Sequence, residues 1–211
     1  VDLKTMKVYY VNEQPFTKFG NMHGDETVGR ELLLHLIDEL LTRYTQGDTR
    51  IVTILHNVDV YIMPTMNPDG YEIGWRNNKN NIDLNRNFPD QFRPGQGGTI
   101  QPETRAIMDW VANTRFTLAG NMHGGSLVAS YGYDGVPKGT YTSGLYSAAP
   151  DDKLLQHLSH IYADNHKQMP YKLTNPEFGG SPHYGITNGA YWYALYGGMP
   201  DYTYLYGKCP D

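Results

Sequence analysis

Segments with the pattern of β-strands alternate along this chain with segments that have the pattern of amphipathic helices. Strands are predicted where apolar residues alternate with polar ones or where β-branched and aromatic residues cluster, at residues 6–11, 58–63 and 116–122. Helices are predicted where apolar residues recur three and four positions apart, beginning near residues 27, 102 and 151. The first helix is predicted to end at Gly47 and Asp48. This alternation favours an α/β fold, in which helices flank a central, mostly parallel or mixed β-sheet.

The remaining segments are predicted to be loops. Residues 74–99 are rich in Asn, Gly, Pro and Arg, residues 131–150 in Gly, Tyr and Ser, and the chain after residue 166 again in Gly and Tyr. Residues 67–70 have the sequence Asn-Pro-Asp-Gly, which is a strong turn signal. Ligands of open α/β sheets bind at loops beyond the carboxyl ends of the strands, so functional residues are expected in such loops.

Composition excludes several classes of protein. The chain has 211 residues, of which 39% are hydrophobic and 18% charged, so one folded domain without an internal linker is expected over residues 1–211. The net charge of −5 and the lack of a Lys/Arg cluster argue against nucleic acid as a partner. The chain has no run of eighteen apolar residues, so no membrane span is expected in it. The single cysteine, Cys209, excludes an internal disulfide.

The pentapeptide Gly-Asn-Met-His-Gly occurs twice, at residues 20–24 and 120–124. In the first copy His23 is followed three residues later by Glu26, where a helix begins, and residues three apart share one helix face. In the second copy His123 follows a predicted strand. Two histidines and one glutamate form the ligand set of a catalytic zinc ion with one open position. A bare His-x-x-Glu pair also occurs by chance, and spacing alone does not identify the third ligand.

A second polar cluster occupies residues 75–88, which include Arg76, Asp83, Asn85 and Arg86. One interpretation is a solvated, Asn-rich loop. The other is an ordered site, because the segment Asp-Leu-Asn-Arg-Asn-Phe-Pro at residues 83–89 combines apolar anchors with polar groups. The guanidinium fork of an arginine in such a site binds a carboxylate with two parallel hydrogen bonds.

Together these segments resemble the M14 metallocarboxypeptidases, in particular the regulatory N/E branch that includes carboxypeptidases E, M, N and D. The similar segments are collinear and span nearly the whole chain, at residues 20–34, 62–71, 82–90, 121–125, 188–193 and 197–204. Within the branch, the chain is most similar to carboxypeptidase M or to a domain of carboxypeptidase D. The resemblance implies the zinc carboxypeptidase fold, a central mixed, mostly parallel sheet flanked by helices.

The resemblance also implies a metal centre. It makes His23, Glu26 and His123 the ligands of one Zn²⁺ ion, in agreement with the pattern of the repeated pentapeptide. It makes Asp83 the carboxylate that orients a ligand histidine. Such partners determine which ring nitrogen carries the hydrogen and raise the basicity of the other.

The substrate implied by the resemblance is the C-terminus of a peptide or protein. Asn85 and Arg86 are expected to bind the terminal carboxylate, and Arg76 is expected to polarise the scissile carbonyl and hold the oxyanion. Tyr204 is expected to be a mobile phenol that closes over the bound terminus. The branch releases C-terminal Arg or Lys, for which Asp134 is the candidate acidic partner; the alternative is a solvated turn aspartate. The resemblance further implies a secreted or secretory-pathway protein, with any membrane anchor outside this sequence.

The chain departs from the branch in one catalytic group. The glutamate expected as general base is not found, because the sequence stops at Asp211, shortly after Cys209. The β-sandwich domain of the branch is also absent, and residues 90–100 and 167–182 are shorter than expected. Three interpretations are a fragment, a sequence from which parts are missing, and a catalytically inactive, peptide-binding paralogue. We expect an incomplete catalytic domain, truncated at its C-terminus.

Overall fold

Three parallel strands form the central sheet of the computed structural model, which describes residues 15–114, 116–137, 144–170 and 185–207. In the order β2-β1-β3, they are β1 (Phe16–Gly20), β2 (Val60–Met63) and β3 (Leu118–Met122). Phe16 lies opposite both Val60 and Leu118, so all three strands end at the same edge. A second, two-stranded parallel sheet pairs β4 (Ala129–Tyr131) with β5 (Ile186–Asn188). The predicted α/β fold with a mostly parallel sheet is confirmed.

The described residues contain seven α-helices and one short 3-10 helix at Leu84–Arg86. The α-helices are α1 (Thr27–Thr45), α2 (Thr49–Asn57), α3 (Pro68–Glu72), α4 (Pro102–Asn113), α5 (Asp152–Asp164), α6 (Gly189–Trp192) and α7 (Met199–Tyr206). The sequence predicted α1, α4 and α5 close to their observed bounds. The predicted turn at residues 67–70 is the start of α3, where the Asn67 side chain accepts a hydrogen bond from the Gly70 amide.

The prediction was wrong for several other elements. Residues 49–57 form α2, and Asp48 begins this helix because its Oδ1 accepts hydrogen bonds from the amides of Arg50 and Ile51. The chain after residue 166 was predicted to be a loop but contains β5, α6 and α7. Proline is common in turns, but Pro200 lies in the first turn of α7, where the missing N–H of proline costs no hydrogen bond.

The central strand was also missed. β1 places Thr17 and Phe19 on one face, both fully buried, but Lys18 between them weakens its strand pattern. The Lys18 ammonium lies over the rings of Phe16 and Tyr162 at 5.5 and 5.2 Å from their centroids. Burial lowers the pKa of Lys18. The strand predicted at residues 6–11 lies outside the described residues.

The main core lies directly beneath the polar loop of residues 75–88. Leu84 and Phe88 of this loop are fully buried in a cluster with Phe19 of β1, Ile107 of α4 and Met199 of α7. Burial of each such side chain stabilises the fold by about 1.5–3 kcal/mol. The predicted apolar anchors therefore exist, and they attach the polar residues between them to the core.

Helix α1 packs closely against the sheet near its own N-terminus. Its buried residues are Gly29 and Leu33, and a Cβ on Gly29 would stand 3.0 Å from the Cβ of Met122. Glycine thus allows the first turn of α1 to approach β3. Among the described residues, none of the helices has the length and apolar character needed to cross a membrane.

Candidate metal centre

Two adjacent strands deliver the two histidines to one place. β1 ends at Gly20 and His23 follows three residues later, whereas β3 ends at Met122 and His123 follows directly. Because the strands are parallel neighbours, both histidines emerge at the same edge of the sheet. Glu26 lies beside them as the residue that precedes the first turn of α1. The topology therefore joins residues that are 100 positions apart in the sequence.

The three side chains converge on one point. His23 Nδ1 lies 2.8 Å from Glu26 Oε1, and His123 Nδ1 lies 2.9 Å from Glu26 Oε2. The two Nδ1 atoms are 3.2 Å apart. Two nitrogen ligands at the usual zinc distance and a tetrahedral angle would be separated by about 3.3 Å. These residues form a group that could hold a metal ion, and their donor atoms fit zinc.

The loop that carries His23 is held by two asparagine side chains. Asn21 adopts a left-handed backbone conformation, with φ of 53°. Its Nδ2 donates to the carbonyl oxygens of His23 and Gly24 at 2.9 and 3.1 Å. Asn67 Nδ2 donates to the Met22 carbonyl at 3.3 Å. A side chain at Gly24 would overlap the backbone of Gly70 in α3, so this loop and α3 are in direct contact.

Asp83 connects His23 to Arg76. Its Oδ1 lies 3.1 Å from His23 Nε2, and its Oδ2 accepts hydrogen bonds from Arg76 Nε and Nη2 at 3.2 and 3.0 Å. With Nε2 of His23 bound to a carboxylate, its Nδ1 lone pair is directed at the metal position. Asp83 also accepts from the amide of Asn85 at 2.9 Å, which ties it to the 3-10 helix.

The charges of the site are mutually stabilised. Burial alone would raise the pKa of Glu26, but hydrogen bonds with His123 and His23 lower it far below its usual range. Burial likewise opposes ionisation of Asp83, yet its hydrogen bond with His23 and its nearby positive charges lower its pKa. Burial alone would lower the pKa of His23, and its hydrogen bonds with Asp83 and Glu26 raise it. Both carboxylates are therefore ionised at neutral pH and able to bind a cation.

Of the two arginines of the loop, Arg76 contacts Asp83 directly and Arg86 follows it in the 3-10 helix. Arg76 Nη1 is 3.2 Å from Glu26 Oε1, so Arg76 contacts both carboxylates of the centre, and 43% of its side chain is exposed. Arg86 belongs to the 3-10 helix, and its Nη1 donates to the Asn85 carbonyl at 2.9 Å. The Asn85 side chain is buried, and its Oδ1 accepts from the Met199 amide at 3.0 Å. Asn85 thus joins the 3-10 helix to the start of α7.

Asp134 is buried, with 7% of the residue exposed, so the alternative of a solvated turn aspartate is wrong. A side chain at Gly189 would overlap Asp134 Oδ1, and one at Gly198 would stand 3.4 Å from its Oδ2. Burial raises the pKa of Asp134, although the nearby charges of His123 and Arg86 oppose this rise. A Cβ at Gly198 would also stand 3.6 Å from Asn85 Oδ1, so the Asp134 carboxylate lies near the Asn85 side chain.

A second buried carboxylate supports the backbone of Asp134. Asp201 accepts hydrogen bonds from the amides of Asp134 and Gly135 at 2.9 and 3.3 Å. Its pKa is raised by burial and by the charge of Asp134. Asp201 was not predicted as a site residue, because nothing in the sequence around it distinguishes a buried acid from a solvated one.

Tyr204 belongs to α7, and its phenol contacts Asp151, the residue that precedes α5. Its Oη donates to Asp151 Oδ2 at 2.9 Å and accepts from the Asp151 amide at 3.2 Å. Its ring contacts Tyr133 edge to face, with 5.7 Å between centroids. In this conformation its phenol is bound to Asp151 and to no ligand of the metal centre.

Comparison with known proteins gives consistent results. The profile of the zinc carboxypeptidase family, peptidase M14, matches residues 4–210. Mouse carboxypeptidase M is 45% identical over 215 residues, which are 98% of this chain and 48% of that protein. Carboxypeptidase SOL1 of Arabidopsis thaliana is 46% identical over 93% of this chain and 38% of its own length. Mouse carboxypeptidase D is 43% identical over 90% of this chain and 15% of its own length. The chain thus spans less than half of each of these relatives.

Solved structures show the same architecture. The carboxypeptidase A of Helicoverpa armigera superposes with a TM-score of 0.70 at 22% identity, over 92% of this chain and 49% of that chain. Thrombin-activatable fibrinolysis inhibitor superposes with a TM-score of 0.71 at 20% identity, over 94% of this chain and 53% of that chain. At these identities the likeness is one of fold.

Proposed function

The chain belongs to the zinc carboxypeptidase family, and from this premise we propose that it hydrolyses the C-terminal peptide bond of peptides or proteins and releases Arg or Lys. The observation that carries the proposal is the convergence of His23, Glu26 and His123, whose donor atoms all lie within 4.8 Å of one another. As implied by the family, the proposal includes a protein of the secretory pathway.

One zinc ion is assigned to these three ligands. Bound there, it would supply a Lewis acid that polarises a carbonyl group and activates water near neutral pH. Glu26 contributes the negative charge of the ligand set, and Asp83 holds His23 with its Nδ1 directed at the ion. We assign no residue of this chain as general base.

Arg86, together with Asn85, is proposed to bind the terminal carboxylate of the substrate. Both residues follow Asp83 in the 3-10 helix, so the clamp is attached to the same short element that holds His23. A guanidinium binds a free carboxylate with two hydrogen bonds, whereas an internal peptide bond offers no such partner. Arg86 is only partly buried, so leaving it unpaired costs less than the ~3–5 kcal/mol of a broken buried pair, but the penalty still favours free C-termini.

Arg76 is proposed to hold the oxyanion that develops on the scissile carbonyl. It contacts Glu26 and Asp83, so its guanidinium already lies against the metal centre. A partly exposed arginine at this position can reorient towards a bound carbonyl without breaking the core.

Tyr204 is proposed to close over the bound substrate. This movement has to break the two hydrogen bonds that the phenol makes with Asp151. The cost is about 1–3 kcal/mol, since each hydrogen bond contributes about 0.5–1.5 kcal/mol net.

Asp134 is proposed to pair with the side chain of a C-terminal Arg or Lys. A buried carboxylate whose pKa is raised by burial gains more from a cationic partner than an exposed one does. The neighbouring glycines leave space around its two oxygens that larger residues would fill. The charge of a basic substrate side chain would thus offset the cost of keeping Asp134 ionised.

The test compares release of C-terminal Arg and C-terminal Phe from matched peptides by the full-length protein, with and without a zinc chelator. Chelator-sensitive release of Arg, lost in His123→Ala, is the expected result. Tight binding of the peptides by the zinc-loaded protein without any release would instead show a peptide-binding module. Faster release of Phe than of Arg would contradict the role of Asp134 alone.

A further inference from the structure

The outer ring nitrogen of His123 faces the side chain of Asn121, which was not predicted as a site residue. Nδ1 of His123 points at the metal position, and its Nε2 lies 3.0 Å from Nδ2 of Asn121. Asn121 is two residues earlier on β3, directly opposite Phe19 of β1 in the sheet register. Since Phe19 is fully buried, this part of the sheet is anchored in the core and holds Asn121 in place.

The donors and acceptors of this contact specify an orientation of the amide. When Nδ1 of His123 gives its lone pair to a metal ion, Nε2 carries the hydrogen and needs an acceptor. The Nδ2 group of Asn121 only donates, but its Oδ1 accepts, and the two ends of an amide are nearly equal in size. Oδ1 is buried and has no hydrogen-bond partner in the orientation with Nδ2 towards His123. A half-turn of the amide gives Oδ1 a donor and Nε2 an acceptor, and it gives up only the weak contact of Nδ2 with Met22 Sδ at 3.5 Å.

We infer that Asn121 is the positioning residue of His123: its Oδ1 accepts the Nε2 hydrogen, and thereby keeps the Nδ1 lone pair directed at the metal. The inference rests on the proposed function, because it assumes that the three-residue group binds zinc. It makes the centre asymmetric. His23 is held by the charged carboxylate of Asp83, and His123 is held by a neutral amide.

Two variants separate hydrogen bonding from packing in the full-length protein. Asn121→Leu keeps the size of the side chain but removes the acceptor, and Asn121→Asp keeps an acceptor of the same shape. Zinc affinity is measured by competition with a chromophoric chelator. We expect Asn121→Leu to bind zinc about 10–100-fold more weakly and Asn121→Asp to stay within about threefold of wild type or bind more tightly. Asn113→Leu, at the exposed end of α4, is the matched control and should not change the affinity.

A second readout uses the zinc-bound protein, because without zinc the Nδ1 of His123 faces the acceptor Oε2 of Glu26 at 2.9 Å and carries a hydrogen itself. Long-range ¹H–¹⁵N spectra of the zinc-bound protein report how fast the Nε2 hydrogen of His123 exchanges with water. Slow exchange is expected in the wild type, and faster exchange in Asn121→Leu, which lacks the acceptor. Circular dichroism verifies that each variant is folded.

The outcomes separate the two proposals. Wild-type zinc affinity in Asn121→Leu, or equal weakening in Asn121→Leu and Asn121→Asp, overturns the role of Asn121 and leaves the proposed function intact. A folded wild-type protein that binds no zinc overturns both, since the metal centre is then absent. An Nε2 hydrogen that exchanges equally fast in the zinc-bound wild type and in Asn121→Leu also overturns the role of Asn121.

Discussion

The same five residues, Gly-Asn-Met-His-Gly, have different structures at residues 20–24 and 120–124. The first copy leaves the sheet at Gly20, and Asn21 turns with a positive φ. The second copy continues as a strand to Met122. In the register Gly20 pairs with Met122 and not with Gly120, so the copies are offset by two residues. Identical local sequences therefore deliver one histidine from a loop and the other from a strand end.

The two asparagines show what the offset changes. Asn21 uses its amide to tie backbone carbonyl groups of the loop together. Asn121 lies beside the ring of its own histidine instead. The ring of His23 is consequently free to bind Asp83, which comes from a distant part of the chain. Local sequence determines the residue types, and the path of the chain determines which partner each one meets.

The largest effects are expected from removal of the histidine of either copy. His23→Ala and His123→Ala should each weaken zinc binding by more than about 100-fold, because removal of a ligand exceeds the effect of removing its outer partner. Their effects on the stability of the metal-free protein should differ. His23 is 2% exposed, and its loss should lower the free energy of unfolding by about 1–3 kcal/mol. The His123 side chain is 30% exposed, and its loss should change stability little. Metal analysis and urea unfolding measure both, and equal destabilisation would contradict the asymmetry.

The next effect concerns the first asparagine. Asn21→Gly keeps a residue that tolerates positive φ but removes the amide that binds the two carbonyl groups. We expect a loss of about 2–3 kcal/mol in the free energy of unfolding, because buried carbonyls are left with fewer partners. Asn121→Gly is unsuitable as the matched variant, since a glycine weakens a strand. Asn121→Leu is used instead, and it should lower the free energy of unfolding less than Asn21→Gly does. Thermal and urea unfolding of the two variants provide the comparison, which fails if their order is reversed.

A smaller effect is expected from the partner of His23. Asp83→Asn retains the shape of the side chain but removes the charge that binds both His23 and Arg76. Zinc affinity should fall by about 10–100-fold, as for other groups that orient a ligand histidine. The charged partner Asp83 is expected to matter at least as much as the neutral partner Asn121. Unchanged zinc affinity in Asp83→Asn together with lowered affinity in Asn121→Leu would contradict this order. Competition with a chelator at fixed pH measures both variants side by side.

The smallest expected effect is a pH dependence of the preference for C-terminal Arg. It is assigned to Asp134, which follows the second copy of the pentapeptide, eleven residues after His123. The folded-state pKa of Asp134 is raised above its ordinary value of about 4. Ionisation of Asp134 therefore lowers the stability of the fold as pH rises from the unfolded-state pKa to the folded-state pKa. A cationic substrate side chain binds the ionised form. Preference for C-terminal Arg over Phe should therefore increase with pH across this window, by at most about tenfold per unit, and then level off.

The matched variant is Asp134→Asn, which should show a preference that does not vary with pH. Measurement of kcat/KM for the two peptides between about pH 4 and pH 8 provides the check. A preference that rises equally in Asp134→Asn would assign the pH dependence to another group.

Much of the fold was predictable because its signals are local. The apolar spacing of α1, the proline at the start of α4 and the Asn-Pro-Asp-Gly segment all act within a few residues of themselves. Two of the missed elements, α2 and β1, depend on residues whose local sequence signal can be interpreted in two ways. Asp48 was interpreted as the end of one helix but begins the next, and Lys18 interrupts the apolar pattern of the central strand although the strand is buried. In both cases tertiary packing, not local preference, decides the outcome.

For the site, the sequence by itself suggested the local pair His23 and Glu26 from their spacing at a helix start. In the structure both precede α1, and a turn in which the Glu26 amide donates to the His23 carbonyl at 3.1 Å brings them together. The sequence left open whether the loop with Arg86 is solvated or ordered, and the structure decided for order by burying Leu84 and Phe88 completely. The family resemblance implied that His123 joins the pair and that Asp83 orients a ligand histidine. Only the tertiary structure decided that this histidine is His23, that Asn121 lies against His123, and that Asp134 is buried. The physical reason is that parallel strands with an offset register meet at one edge of the sheet, and neither adjacency nor offset is encoded by residues close to each other in the chain.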